Sequence, residues 1–264
     1  PAAKRDLGVA ASTGAIIAFI DDDAYPDPDW LKNAVKIFME HDVAAVGGPG
    51  LDPPEDSIWQ TVGGKILASK LASGTEIYRN RKQPRRYVND YPSFNFLVRR
   101  DVFTEIGGFQ YEYWRGEDTR LCLKINNQGA KILYDPEVVV YHHKRAFLTP
   151  HLRQLWKCAL YRGYFAKTDP QISGEFKYFV PSSFMLGLIG GGVLSVFHPP
   201  LRILYFTVLT VYSVFLLHEV IKTKSFKDGL FLMTGIFLTH LTYGAGFIVG
   251  LLSTTRRMKT KVYQ

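Results

Sequence analysis

Cysteine is nearly absent from these 264 residues, and the two present, Cys122 and Cys158, share no CxxC spacing. That excludes a thiolate zinc site and a disulfide framework, and it fits a domain facing the reducing cytoplasm. Internal repeats and low-complexity segments are lacking too, which excludes a repeat architecture. Acidic side chains are the scarcer sign: 24 Asp and Glu stand against 32 Lys and Arg, a net charge of +8. Such a balance requires an anionic partner or surface. Lys144, Arg145, Arg153, Lys157, Arg162, Lys167 and Lys177 cluster beside hydrophobic segments, so anionic lipid headgroups fit better than nucleic acid.

Charge itself disappears in two stretches, between Lys177 and Arg202 and from Gly229 to Thr255. A membrane span needs roughly 20 mostly apolar residues, and both stretches are long enough. Ile203 to Leu217 is a shorter third segment, extended by Val220 and Ile221. Three such segments in succession are too many for the core of a soluble domain this size. Residues 178–255 are therefore expected to form a membrane region, followed by a basic tail at 256–264. The mean hydropathy of -0.03 averages a polar half and an apolar one.

The polar half alternates helix and strand patterns. Residues 2–11 read as a helix, and AIIAFI at 15–20 as a strand buried on both faces of a parallel sheet. Asp27 before Pro28 is expected to cap a second helix, with Leu31, Val35 and Phe38 on its sheet-facing side. Strands follow at 43–48, 94–98, 131–134 and 137–141, with a helix at 57–72. Arg79, Arg81, Lys82, Arg85 and Arg86 form either a solvated loop or a clamp over a diphosphate or a phosphate-bearing lipid. Thr149 and Pro150 open a helix whose stripe of Leu152, Leu155, Trp156, Ala159 and Leu160 is flanked by basic residues. That composition marks 146–177 as a basic amphipathic interfacial segment, the alternative being packing against the α/β unit.

Topology is contested within the sequence. Three full spans starting from a cytoplasmic domain send Arg256, Arg257, Lys259 and Lys261 outside, against the positive-inside tendency. A hairpin formed within the glycine-rich stretch 181–197 returns that tail to the cytoplasm, which the tail's charge favours.

The chemistry concentrates where the first strand stops, at Asp21, Asp22 and Asp23. Ligands of open α/β sheets bind outside the carboxyl ends of strands. Three adjacent carboxylates there need a cation among them, and hard oxygen donors favour magnesium or manganese bridged to a diphosphate. A polar turn with a helix cap explains Asp27 but not three acids in a row.

KRDLGVAASTGAIIAFIDDDAYPDPDWL, FNFLVRRDVFTEIGGF and RGEDTRLCLKINNQGAKILYDPEVVVYHH, in that order, resemble glycosyltransferase family 2, the inverting enzymes of the GT-A fold. Over residues 1–145 the resemblance implies an α/β domain, the GT-A nucleotide-diphospho-sugar transferase-like mixed sheet with helices on both faces, followed by C-terminal transmembrane helices. It implies a nucleotide-sugar donor, Mn2+ or Mg2+, and a carboxylate base. Asp23 is then the principal metal ligand, with Asp21 and Asp22 contacting the ribose or supporting the metal through water. Asp118 becomes the general base and Glu117 a supporting contact to the acceptor, the helix dipole keeping Asp118 ionised.

His142 and His143 are candidates for a further metal or diphosphate ligand, and strand alternation lets at most one face the site. Asn95 and Trp114 are candidates for the acceptor side, and Arg5 for the diphosphate, although Asp6 stands where the family has Asn. The family's opening strand–helix–strand unit has no counterpart after Pro1, so the chain resembles an N-terminally truncated copy, expected to be inactive alone. The implied function is transfer of a sugar to a lipid-linked or cell-surface glycan by a multi-pass membrane protein with its catalytic domain in the cytoplasm. Polyprenyl phosphate as acceptor and a non-catalytic membrane scaffold are the alternatives.

Overall fold

A computed structural model of the protein describes residues 2–109, 116–223, 225–255 and 258. The polar part begins with α1 (Ala2–Ala10), β1 (Ile16–Ile20), β2 (Ala24–Pro26), α2 (Trp30–Glu40), β3 (Ala45–Gly47) and β4 (Gly50–Leu51). Next come α3 (Ile58–Leu67), α4 (Lys70–Ser73), β5 (Arg86–Val88), β6 (Asn95–Arg99), α5 (Arg100–Glu105), α6 (Glu117–Asn127), β7 (Ile132–Tyr134) and β8 (Val140–His142). The remainder is helical: α7 (Thr149–Thr168), α8 (Pro170–Ser173), α9 (Val180–Phe197), α10 (Pro199–Ile221) and α11 (Phe226–Leu252). The chain divides into two compact units, one of 1–56, 76–143 and 254–264, the other of 57–75 and 144–253.

The first unit is a mixed α/β domain. Its five-stranded sheet has the order β1-β6-β3-β7-β5, with only the β3–β7 pair parallel, and β2-β8-β4 form a smaller sheet. The core gathers Phe96, Leu97 and Val98 of β6, Ala45 and Val46 of β3, and Leu121, Cys122 and Ile125 of α6. β1 departs from the sequence expectation. It is antiparallel to β6 at the sheet edge, and its burial alternates, with Ile17 and Phe19 inside and Ala18 and Ile20 outside. A strand with one paired neighbour and one covered face needs apolar residues only at every second position.

Helix α2 is rotated relative to the expected face. Trp30, Ala34, Ile37 and Phe38 are buried, whereas Leu31 and Val35 point outward at 55% and 42% exposure. The Trp30 indole donates to Asn95 Oδ1 at 2.8 Å, so burying that ring with its N–H satisfied sets the rotation. The cap expected at Asp27 falls instead at Asp29, and Asp27 accepts from the Asp29 backbone N–H at 3.1 Å and, through its carbonyl, from that of Trp30.

The second unit is organised around α11. Residues 57–75, which the sequence assigns to the α/β unit, cluster here instead. Lys65 of α3 pairs with Asp228 at 2.9 Å, Ile66 packs where a Cβ on Gly235 would be, and Leu71 of α4 accepts from His240 Nε2 at 3.0 Å. α7 lies on the other half of α11 with Ala159, Leu160, Tyr164 and Phe165 buried and Arg153 and Lys157 exposed. The stretch 181–197 is one continuous helix within α9, so the hairpin is made by α9 and α10 and turns at His198. α9, α10 and α11, with 18, 23 and 27 residues, are each long and apolar enough to cross a membrane.

The α7–α11 contact is made at backbone distance. A Cβ on Gly250 would strike the Leu160 carbonyl oxygen, and one on Gly163 that of Phe247, whereas a Cβ on Gly187 of α9 meets nothing within 4 Å. Gly250→Ala should therefore lower the thermal midpoint by overpacking, at a cost of about 1–3 kcal/mol. Gly187→Ala should leave it unchanged or raise it through helix propensity. Equal effects of the two substitutions on the melting curve would refute this packing.

Candidate active site

The turn between β1 and β2 carries Asp21, Asp22 and Asp23, and β8 pairs with β2 so that His142 lies opposite Ala24. That register brings His142 Nε2 to 3.1 Å from Asp23 Oδ1. One ligand atom from each of Asp21, Asp23 and His142 lies within 4.8 Å of the others. Asp22 is exposed and is not in this group. The His142 ring stacks on Phe94 with centroids 4.8 Å apart and planes at 26°. Gly50 makes room for both, since a Cβ there would lie 2.7 Å from the Phe94 ring and 3.2 Å from His142 Cβ. Two carboxylates and an imidazole form a donor set suited to manganese or magnesium.

His143 points away from this group, as strand alternation requires. Its Nδ1 is 2.5 Å from Asp56 Oδ1 and its Nε2 is 3.9 Å from Glu55, so the expectation of His143 as a metal ligand is corrected.

Arg5, reaching from α1, joins the acidic turn to the start of α6. Its guanidinium is 2.8 Å from Asp21, 3.8 Å from Glu117 and 3.7 Å from Asp118, and it lies over the Phe109 ring. α6 can begin there because Gly116 adopts φ 102°, a left-handed conformation open to glycine at little cost. Asp6, the residue beside Arg5, has another use: its carboxylate accepts from the Phe109 backbone N–H at 3.2 Å.

Burial raises the Glu117 carboxyl to about 7, Asp118 adding to the rise and Arg5 opposing it. Asp118 is also raised by burial, against the pull of Arg5 and of hydrogen bonds from the side chain and backbone of Ser93. Burial thus works against the helix dipole expected to keep Asp118 ionised, a dipole effect of about 0.3–1 kcal/mol being outweighed by desolvation. Asp118 is the more accessible of the pair, its side chain 29% exposed against 9% for Glu117.

Asn95 does not face a ligand. It is fully buried, accepting from Trp30 and donating to the carbonyls of Gly48 and Val138 at 2.6 and 2.7 Å, which makes it an internal brace and not an acceptor contact. Trp114 lies outside the described residues. Most of the basic run is tied into the fold: Arg79 pairs with Glu76 and Asp90, Lys82 with Glu137 and Arg85 with Asp135, while Arg86 covers Tyr78. Ser93 and Phe94, which hold Asp118 and His142, carry no signal in the sequence beyond their proximity to β6.

Residues 1–107 match the model of glycosyl transferase family 2. The pre-mycofactocin glycosyltransferase of Mycobacterium tuberculosis is 29% identical over 150 residues, 56% of this chain and 31% of that one. The glucosyl-dolichyl phosphate glucuronosyltransferase of Haloferax volcanii is 28% identical over 157 residues, 53% of this chain and 46% of that one. The chain thus spans less than half the length of these curated relatives. A mannosyltransferase from Pyrobaculum calidifontis, solved with GDP-Man and Mn2+, is similar at 17% identity and a TM-score of 0.48, over 95% of this chain and 65% of that one. The family match ends before Glu117, Asp118 and His142, whose place in the site rests on geometry.

The Glu117 shift fixes a pH dependence. Its carboxyl ionises at 4.5 when unfolded and at about 7 when folded, so the folded state holds the extra proton between those values. The stability this adds is complete below the lower value and is lost as pH rises through the upper one. Denaturant titrations of metal-free protein between about pH 5 and about pH 8 should show stability falling with pH, less steeply in Glu117→Gln. Identical slopes would show that Glu117 titrates alike in both states.

Proposed function

We propose that this chain is the core of a metal-dependent, inverting glycosyltransferase that moves a sugar from a nucleoside-diphosphate sugar to a lipid-linked or cell-surface glycan. The observation that carries the reading is the convergence of Asp21, Glu117 and Asp118 on Arg5, with Asp23 and His142 grouped beside Asp21. One guanidinium leaves that cluster short of positive charge, which a divalent ion can supply. Asp21, Asp23 and His142 would hold it, and when bound it neutralises the diphosphate of the donor and of the leaving nucleotide.

The protein's own groups divide the remaining work. Asp118, the accessible carboxylate, removes the proton from the acceptor hydroxyl, and its raised pKa brings it towards the operating pH of a general base. Ser93 fixes the carboxylate in place, and Glu117 shares Arg5 with it. Arg5 spans both halves and orients the acidic turn against α6, a positioning role that supports the reading of it as donor-side.

The lipid-linked acceptor is supported by the apolar helices of the same chain and by a relative whose name places it on glucosyl-dolichyl phosphate. Free cysteines and a net charge of +8 support a catalytic unit facing the cytoplasm, where nucleotide sugars would be its donors.

In the intact protein, Asp118→Asn should lower turnover at least about a hundredfold while leaving donor affinity nearly unchanged, because the base acts on the acceptor. Asp23→Ala should instead weaken Mn2+-dependent binding of the nucleoside diphosphate, read by calorimetry. Full transfer by Asp118→Asn would place the base elsewhere. Failure of the unsubstituted protein to bind nucleotide at all would leave the non-catalytic scaffold.

A further inference from the structure

The three long apolar helices have unequal surroundings within the second unit. α11 is lined from end to end by segments unsuited to hydrocarbon. At its start Asp228 pairs with Lys65 of α3. At its middle His240 donates to the Leu71 carbonyl of α4, a helix of four residues bounded by Ser69 and Gly74 and carrying the exposed Lys70. Such irregular backbone does not occur against lipid.

Along its second half α11 is accompanied by α7, running in the same direction. His151 meets Thr239 at 3.2 Å, Leu160 packs on Gly250, and Lys167 donates to the Ser253 carbonyl at 2.5 Å. The stretch of α7 from His151 to Lys167 thus follows α11 for roughly 24 Å. Since Ala159 lies against Gly246, the exposed Arg153 and Lys157 are level with residues 239–246, close to the midpoint of α11. An upright α11 would carry both cations to the depth of the bilayer where charge is most costly.

α9 and α10 are the opposite case. Ile189, Val193 and Phe197 on one, and Ile203 and Phe206 on the other, are 57–72% exposed. The pair meets α11 near the entry of α9, through Ser182 and Phe184, and along the second half of α10, through Tyr212, Leu216 and Val220. At the hairpin turn Arg202 donates to the carbonyls of Ser195 and Val196, satisfying the end of α9.

We propose that the membrane anchor is the α9–α10 hairpin alone, and that α11 stays on the headgroup side, joining the hairpin to α3, α4 and α7. The chain then enters and leaves the bilayer from one side. This arrangement also removes the conflict in the charge pattern. The basic residues of α7, Lys222 and Lys227 after the hairpin, and the basic tail all fall on the same face of the membrane, as the positive-inside tendency favours.

Single cysteines at Gln154 on α7, Lys227 in the first turn of α11 and Thr254 after it, placed in a Cys158→Ala background, test this with an impermeant maleimide on sealed right-side-out and inverted vesicles. All three should label from the same side. Labelling of Thr254→Cys from the side opposite Gln154→Cys would show that α11 crosses, and opposite labelling of Lys227→Cys would show that the hairpin does not return. A C-terminal epitope scored by protease protection reads the same question without a cysteine. Neither assay requires transferase activity, so the anchor and the proposed reaction fail or stand separately.

Discussion

A single guanidinium holds the candidate active site of the first unit together. Arg5 bonds Asp21 at the end of β1 and faces Glu117 and Asp118 at the start of α6, elements far apart in sequence that otherwise bring only negative charge to one place. Burial shifts Glu117 and Asp118 upward despite the arginine, with repulsion from Asp118 adding to the rise at Glu117. One guanidinium facing Asp21, Glu117 and Asp118 leaves these acids short of positive charge, a deficit that a cation held beside them would fill. The shifted pair and the Asp21–Asp23–His142 group are two signs of that same deficit.

The second unit answers a different constraint, the disposal of apolar surface. α11 buries its small residues against α3, α4 and α7 at distances that a side chain at Gly235 or Gly250 would prevent. α9 and α10 leave theirs exposed, as helices solvated by lipid can. Apolar composition is shared by all three helices, but what packs on each distinguishes a structural beam from a membrane insert.

Features set by adjacent residues were legible in the sequence, and those set by register or distant packing were not. Three consecutive acids after an apolar strand pointed to the candidate cation site, and the family motifs pointed to Asp118 and Arg5. Which of His142 and His143 faces Asp23 depends on the pairing of β8 with β2, and neighbouring strand positions differ in nothing a sequence displays. Asn95 looked available because its type suits ligand contacts, yet Trp30 and two carbonyls consume its hydrogen bonds. The same Trp30 contact turned α2 away from the face its leucine and valine spacing indicated. Helix α3 joined the second unit through Asp228 and Gly235, partners too distant in the chain for local patterning to reveal.

The claim that the convergent acids await a divalent ion held by Asp21, Asp23 and His142 is tested most directly by Mn2+ titration of the intact protein, monitored by the loss of free-ion electron paramagnetic resonance signal, in His142→Ala and His143→Ala. Loss of one ligand should weaken binding at least about tenfold in His142→Ala, as loss of supporting groups alone typically does. His143→Ala should bind as the unsubstituted protein does. Equal affinity in all three proteins, or a loss confined to His143→Ala, would contradict the assignment.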